Sequence, residues 1–249
     1  MVGLARLGDA AVHVWQVRLD GGADPDVRDY QRILAPDEVA RAARFVFERD
    51  RRRFVVARAA LRQVLAAYLE LAPDRLEFAY GVRGKPELRA PPGSAGLRFN
   101  VAHSAALGLI GVARRSELGI DVEYARAMPD ALSIAEHYFS RPERIALSSA
   151  EGGTREHTFF TYWTRKEAVL KATGDGLSVP LDRVDVAWTG ADAAHRVVVH
   201  DLSGTRHHLH VLDLEPVPGY VGALAFGGDN APTVQPRAWP DDLVRVYGR

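Results

Sequence analysis

The chain has 249 residues, 47% hydrophobic and 26% charged, which is the balance of an ordinary globular protein. It contains no cysteine, which excludes a disulfide scaffold, a thiolate zinc site and a cysteine nucleophile. The 32 basic and 32 acidic residues balance to a net charge of +0, so bulk charge predicts no binding to nucleic acid or to a membrane surface. The sequence shows no secretion signal and no apolar run long enough to cross a bilayer, and we therefore expect a soluble cytoplasmic protein.

The predicted elements run in the order strand, helices, strands, and this order occurs twice. Alternating apolar residues predict the strands, and apolar residues at helical spacing predict the helices. The first group comprises a strand over Val12–Leu19, helices over Pro36–Phe47 and Asp50–Leu71, and strands over Glu77–Tyr80, Leu97–Val101 and Leu107–Val112. The second comprises a strand over Leu118–Glu123, helices over Pro129–Leu147 and His157–Thr173, and strands over Val184–Trp188, His195–Asp201, His207–Leu214 and Gly219–Phe226.

This repeated order predicts an α+β fold of two similar lobes, with mostly antiparallel sheets packed against helices. We expect an N-terminal lobe over residues 1–115 and a C-terminal lobe over 116–249. Residues 229–249 contain prolines, and we expect them to form an extended tail on the surface of the second lobe.

Two acidic residues share one face of the strand that begins the second lobe. Asp121 and Glu123 alternate with Ile120 and Val122, and alternate side chains of a strand point the same way. Neighbouring carboxylates repel each other unless a cation lies between them, and a divalent cation with oxygen ligands is a natural partner. Solvated acids at an exposed hairpin edge give the same pattern, so the motif alone leaves both interpretations open.

The helix over His157–Thr173 carries charged residues at helical spacing. Trp163, Glu167 and Lys171 recur every four residues, and Lys166 is expected to flank the same face. All but three of the 32 basic residues of the chain are arginine, so two of its three lysines lie here. An acid with two ammonium groups suits a metal-bound polyphosphate. A Glu–Lys pair on a solvated helix is the alternative.

The first lobe offers further basic positions. Eight arginines lie between Arg41 and Arg62, and they form either a solvated helix face or a basic wall for a phosphorylated ligand. The third lysine lies in Gly84-Lys85-Pro86, where glycine permits close approach of a ligand to the backbone and proline restricts the turn.

Taken together, these motifs resemble the signature of the 4'-phosphopantetheinyl transferases. The resemblance rests on Gly119-Ile-Asp-Val-Glu123 and on Trp163-Thr-Arg-Lys-Glu-Ala-Val-Leu-Lys-Ala-Thr-Gly174. Gly84-Lys-Pro86, Phe99-Asn-Val-Ala-His-Ser104 and the helix from Pro36 with Arg44-Phe45 and Arg53 resemble upstream motifs of the larger, surfactin-synthetase-activating type. The likeness runs in order from about residue 33 to residue 181, and the two-lobed fold of that family agrees with the predicted repeat.

The resemblance implies an enzyme that moves the phosphopantetheine arm of coenzyme A onto a serine of an apo carrier protein and releases adenosine 3',5'-bisphosphate. It implies that the second lobe holds Mg²⁺ through Asp121, Glu123 and Glu167, that Glu167 accepts the serine proton either directly or through a metal-bound water, and that Lys171 and Lys166 neutralise the pyrophosphate. On the first lobe, Lys85, Pro86 and His103 would hold the adenine and 3'-phosphate, and Ser104, Arg41 and Arg53 complete the predicted coenzyme A-binding set. A monomer is expected.

Two other functions remain to be distinguished from this one. The first is a module that binds coenzyme A or a carrier protein without turnover, and the presence of all three acids argues against it. The second is another Mg²⁺-dependent phosphotransferase, although the sequence has no Gly-x-x-x-x-Gly-Lys-Ser/Thr loop to cradle phosphates.

Overall fold

The computed structural model describes residues 7–20, 27–81, 86–89, 96–174, 180–188, 194–200 and 204–243. Its helices are α1 (Val27–Gln31), α2 (Pro36–Ala42), α3 (Glu48–Leu69), α4 (Ala131–Tyr138), α5 (Arg141–Ser149) and α6 (Gly153–Thr173). Its strands are β1 (Ala11–Arg18), β2 (Phe78–Tyr80), β3 (Pro86–Leu88), β4 (Leu97–Ser104), β5 (Leu107–Arg114), β6 (Leu118–Tyr124), β7 (His195–His200), β8 (Arg206–Leu214), β9 (Tyr220–Gly227) and β10 (Thr233–Trp239).

The described strands form two four-stranded sheets and a small ribbon. The first sheet has the order β10-β1-β5-β4, and the second has the order β6-β9-β8-β7. Neighbouring strands are antiparallel throughout, except that β10 runs parallel to β1. The ribbon pairs β2 with β3. Strands β4 and β6 are thus outer strands of different sheets.

Each large sheet has one long helix on its outer face. The apolar side of α3 packs on Trp15, Val17 and Ile110 of the first sheet, and α6 packs on β8 and β9 of the second. The inner faces of both sheets supply Val14, Leu109, Ile120 and Leu224, among others, to a third hydrophobic cluster. The order of layers is helix, sheet, sheet, helix. The predicted α+β fold of antiparallel sheets packed with helices is confirmed.

The end of the described chain departs from the prediction of an extended tail in the C-terminal lobe. Thr233–Trp239 forms β10, which pairs with β1 in the first sheet. Trp239 is buried, its ring lies 5.5 Å from that of Tyr30, and its Nε1 donates to Gln63 Oε1 at 2.9 Å. Pro236 obscured this strand in the sequence, but proline is tolerated in an edge strand. The assignment of all of 116–249 to the second lobe is therefore wrong for β10.

Two other predicted elements are corrected. The predicted strand Val184–Trp188 has no strand partner among the described residues. Buried side chains bind its backbone groups instead: Glu143 accepts from Val186 N at 2.8 Å and Arg165 donates to Trp188 O at 3.0 Å. The helix predicted over Pro36–Phe47 ends at Ala42. A new helix, α3, then begins at Glu48, whose first turn carries the acidic residues that favour a helix N-terminus.

No helix among the described residues combines the length and apolar character that a membrane crossing requires.

Candidate active site

A cleft of about 720 Å³ lies where the two lobes meet. Its first-lobe wall is built from α3 and from the hairpin of β4 and β5, and Tyr80 and Pro86 of the ribbon close one side. Asp121 of β6 and Lys171 of α6 line it from the second lobe. The cleft thereby brings together seven of the predicted site residues: Arg41, Arg53, Pro86, His103, Ser104, Asp121 and Lys171. Lys85, another lysine of the predicted set, lies outside the described residues.

The second-lobe wall depends on an unusually close approach between β6 and α6. A Cβ atom added to Gly119 would lie 2.0 Å from the carbonyl oxygen of Ala168 and 2.5 Å from the backbone nitrogen of Ala172. Both contacts are with backbone, so no side chain can move aside to make room. A glycine inside a strand often marks such an approach. Gly119 therefore permits the side chains of β6 and α6 to meet at the cleft.

Asp121 and Lys171 form the ion pair at this junction. Lys171 Nζ lies 2.6 Å from Asp121 Oδ1 and also donates to the Ile120 carbonyl at 3.2 Å. The second carboxylate oxygen, Asp121 Oδ2, is buried and accepts no hydrogen bond from the described residues. Burial raises the pKa of Asp121 to about 6, although the positive charge of Lys171 opposes the rise. Asp121 thus has one carboxylate oxygen open to a further ligand.

Glu123 and Glu167 complete the acidic group. Glu123 Oε2 accepts a hydrogen bond from the Ser104 hydroxyl at 2.6 Å and lies 3.7 Å from Arg126 Nη1. The half-buried Glu167 carboxylate accepts no hydrogen bond from the described residues. Burial raises the pKa of Glu167, with the charge of Lys171 opposing the rise and that of Glu123 adding to it. Asp121, Glu123 and Glu167 are therefore close enough to influence one another.

These acids do not form a closed metal cage. Among the residues that the structure describes, no group of three or more histidine, aspartate or glutamate side chains is arranged as a complete metal site. The donor chemistry nevertheless fits Mg²⁺, which binds through one or two carboxylates and the phosphates of its substrate. The open Asp121 Oδ2 and the unbonded Glu167 carboxylate are suitable oxygen ligands.

Most of the predicted basic wall is neutralised inside the protein. Arg53 forms two hydrogen bonds with Asp20, and Arg58 and Arg62 both bind the buried Glu38. Arg41, in contrast, forms no ion pair within the described residues; its guanidinium lies 5.3 Å from the ring centroid of Phe54 at the cleft wall. Arg41 and the exposed His103 are thus positioned to meet an anion from solvent.

Lys166 does not belong to the cleft, and its predicted catalytic role is wrong. The side chain is fully buried, with Nζ 2.9 Å from Glu143 Oε2 and 2.7 Å from the Leu181 carbonyl. Five residues along a helix turn the direction by about 140° beyond a full turn. Lys166 therefore points toward α5 while Lys171 points toward the cleft.

The sequence argument missed two residues, Gly119 as a packing requirement and Asn100 as a link between lobes. Asn100 is buried in β4, and its Oδ1 accepts the backbone N–H of Ile120 at 2.9 Å. A polar amide between the apolar residues Phe99 and Val101 of β4 is the signal that could have indicated it, since buried polar groups are hydrogen-bonded.

Comparisons with known proteins agree with this architecture. A model of the 4'-phosphopantetheinyl transferase superfamily matches residues 117–225, and a model of the N-terminal part of a 4'-phosphopantetheinyl transferase matches residues 24–114. The 4'-phosphopantetheinyl transferase HetI of a Nostoc species is 37% identical over 228 residues, covering 92% of this chain and 91% of that protein. A phosphopantetheinyl transferase of a Thraustochytrium species is 30% identical over 251 residues, covering 92% and 84%.

The chain belongs to the 4'-phosphopantetheinyl transferase family, as its motifs predict. Its likeness to the surfactin-synthetase-activating type is more distant. The 4'-phosphopantetheinyl transferase Sfp of Bacillus subtilis is 27% identical over 157 residues, covering 63% of this chain and 67% of that protein.

Proposed function

We propose that the protein transfers the 4'-phosphopantetheine group of coenzyme A to a serine of an apo acyl or peptidyl carrier protein and releases adenosine 3',5'-bisphosphate. The observation that carries the proposal is the composition of the cleft. Arg41, which forms no ion pair within the described residues, lies at one wall, and the ion pair of Asp121 and Lys171 lies at the other. A ligand with phosphates at both ends of a nucleotide matches this distribution of charge.

The reaction would join the serine oxygen to the β-phosphorus of coenzyme A and break the bond from that phosphorus to the bridging oxygen of the pyrophosphate. The bridging oxygen leaves with adenosine 3',5'-bisphosphate, and the serine proton passes to the carboxylate of Glu167. The raised pKa of Glu167 suits a proton acceptor. Lys171 would neutralise charge that develops on the leaving phosphate.

Asp121, Glu123 and Glu167 would hold Mg²⁺, which when bound screens the charge of the pyrophosphate. Because one chain supplies both walls of the cleft, we expect a monomer of the larger, surfactin-synthetase-activating type.

The direct test is the intact mass of apo carrier domains after incubation with the protein, coenzyme A and Mg²⁺. The expected result is a gain of one phosphopantetheine per carrier, abolished by EDTA. Fatty-acid, polyketide and peptide carriers should be compared, since the preference among them defines the partner. If coenzyme A binds but no carrier gains mass, the protein is a binding module and the proposal fails.

Glu167→Gln is expected to lower the rate of transfer by about 10²- to 10⁴-fold, because the variant removes the proton acceptor. Binding of coenzyme A, measured by calorimetry without Mg²⁺, should persist, since Glu167 does not line the cleft and its proposed contact with the pyrophosphate passes through the metal. Glu151→Gln is the matched control, because Glu151 is exposed near the opposite end of α6. A Glu167→Gln protein with the wild-type rate would contradict the assignment of Glu167 as the base.

Arg41→Ala is expected to raise the KM for coenzyme A by about tenfold, the effect of one charge-assisted hydrogen bond. If Arg41 meets the 3'-phosphate, the KM for dephospho-coenzyme A, which lacks that group, should change by no more than about twofold. Arg32→Ala provides the control, since the exposed Arg32 pairs with Asp29 and neither residue lines the cleft. If Arg41→Ala raised the KM for coenzyme A and for dephospho-coenzyme A equally, Arg41 would contact a part of the nucleotide other than the 3'-phosphate.

A further inference from the structure

The two lobes meet where β4 and β6 run side by side. Each is the outer strand of its own sheet, so each presents backbone groups that its sheet leaves unpaired. Two side chains of β4 reach across to β6. Asn100 Oδ1 accepts the N–H of Ile120 at 2.9 Å, and Ser104 Oγ accepts the N–H of Tyr124 at 3.2 Å. We name Asn100 and Ser104 the interlobe clasp.

The spacing of the clasp is regular. Asn100 and Ser104 are four residues apart on β4, and their partners Ile120 and Tyr124 are four residues apart on β6. The two strands therefore advance in the same direction, and an interval of four residues spans about 13 Å in both. Side-chain oxygens take the place that a neighbouring backbone carbonyl would have in a parallel ladder. Such repeated pairing at both ends fixes the position of β6 along β4.

The clasp also binds an acid directly. The Ser104 hydroxyl donates to Glu123 Oε2 at 2.6 Å, so Ser104 accepts from the backbone and donates to a carboxylate at the same time. Asp121 lies between the two clasped points of β6 and is itself buried. The acids consequently stand at a fixed place relative to the first-lobe wall, which carries Arg41 and His103.

We infer that Asn100 and Ser104 are positioning residues for the transfer reaction: they hold Asp121 and Glu123 in register with the part of the cleft that binds the nucleotide. This inference rests on the proposed function, and it changes the role of Ser104 implied by the family resemblance. The one proton of the Ser104 hydroxyl is donated to Glu123, which leaves none to donate to a phosphate of coenzyme A, so its contribution passes through Glu123 rather than through contact with coenzyme A.

The first test measures backbone amide exchange in the free protein, which requires no activity. Asn100→Ala should accelerate exchange of the Ile120 amide, and Ser104→Ala that of the Tyr124 amide, by about tenfold each, the effect of losing one hydrogen bond. The amides of β9, a strand paired on both sides, should keep their wild-type rates. Asn100→Asp retains an acceptor oxygen, so the Ile120 amide should exchange at the wild-type rate in that variant. This variant provides the comparison if Asn100→Ala folds poorly. Wild-type exchange at both amides in the alanine variants would overturn the inference.

The second test separates positioning from substrate contact by kinetics on a carrier that the wild-type protein modifies. Ser104→Ala should lower kcat by about tenfold while the KM for coenzyme A changes by less than about twofold. Ser104→Thr keeps the hydroxyl and should restore kcat. A raised KM for coenzyme A with unchanged kcat would overturn the inference and make Ser104 a contact to coenzyme A. If the wild-type protein modifies no carrier, the proposed function fails, and amide exchange still decides whether the clasp exists.

Discussion

Lys166→Met is expected to lower the free energy of unfolding by about 3–5 kcal/mol, because it leaves a buried carboxylate without its charge partner. Glu143 is fully buried and lies 2.9 Å from Lys166 Nζ. The same Nζ donates to the carbonyls of Leu181 and Val184. Methionine fills the volume but satisfies none of these three groups. Urea unfolding at neutral pH measures the loss.

Lys171→Met is the matched comparison on the same helix. Lys171 is partly exposed and its Nζ lies 2.6 Å from Asp121 Oδ1. Its replacement should lower the free energy of unfolding by no more than about 2 kcal/mol, whereas the rate of carrier modification should fall by about 100-fold through loss of one charge-stabilising donor. We therefore expect Lys166 to stabilise the fold and Lys171 to contribute to the transfer reaction. A Lys166→Met protein with wild-type stability but no activity would contradict the structural role assigned to Lys166 and would support a catalytic one.

Gly119→Ala is expected to destabilise the protein by about 3 kcal/mol or more, at the upper end of the usual cost of overpacking. The added Cβ would lie 2.0 Å from the Ala168 carbonyl oxygen and 2.9 Å from the Lys171 Cβ. Relief requires α6 to move away from β6, which would carry Glu167 and Lys171 away from Asp121. Activity should therefore fall even under conditions where the variant remains folded.

Gly153→Ala offers a control for the same substitution. A Cβ at Gly153 meets no atom within 4 Å, and this residue begins α6 at the end far from the cleft. Alanine at position 153 should leave the activity unchanged. The melting temperature should stay the same or rise slightly, since alanine favours the helix. A Gly119→Ala protein with the melting temperature of the wild type would show that α6 and β6 are farther apart than in the structure.

Local patterns were sufficient to predict most of the fold. The pattern of apolar residues located β1, β5, β8 and β9 to within a few residues, because each of these strands buries one or both faces in a continuous core. Helical spacing located α3 and α6. Three elements were missed, α1, β3 and β10, and the partner strand of β10 lies more than two hundred residues earlier in the chain. No local pattern carries information about a pairing at that separation.

The site was predicted less completely for a physical reason. Motif spacing selected Asp121, Glu123, Glu167 and Lys171 as candidates, and the structure places them on two adjacent elements, β6 and α6. Helical spacing alone does not say which flank of a face meets solvent, and Lys166 was misassigned on that account. The arginine-rich segment shows the same limit, because the partners of Arg53 and Arg62 lie at Asp20 and Glu38, outside that segment.

The parallel pairing of β10 with β1 has a consequence for synthesis of the protein. Domains generally fold from the N-terminus as the chain leaves the ribosome. The first sheet cannot be completed in that order, because one of its two outer strands, Thr233–Trp239, is translated after every described strand of the second sheet. Until then β1 presents an open edge, which is where unwanted pairing with another chain begins. The strand β10 therefore completes the sheet that β1 begins, and a cut between β5 and β6 would leave the first sheet without one of its outer strands.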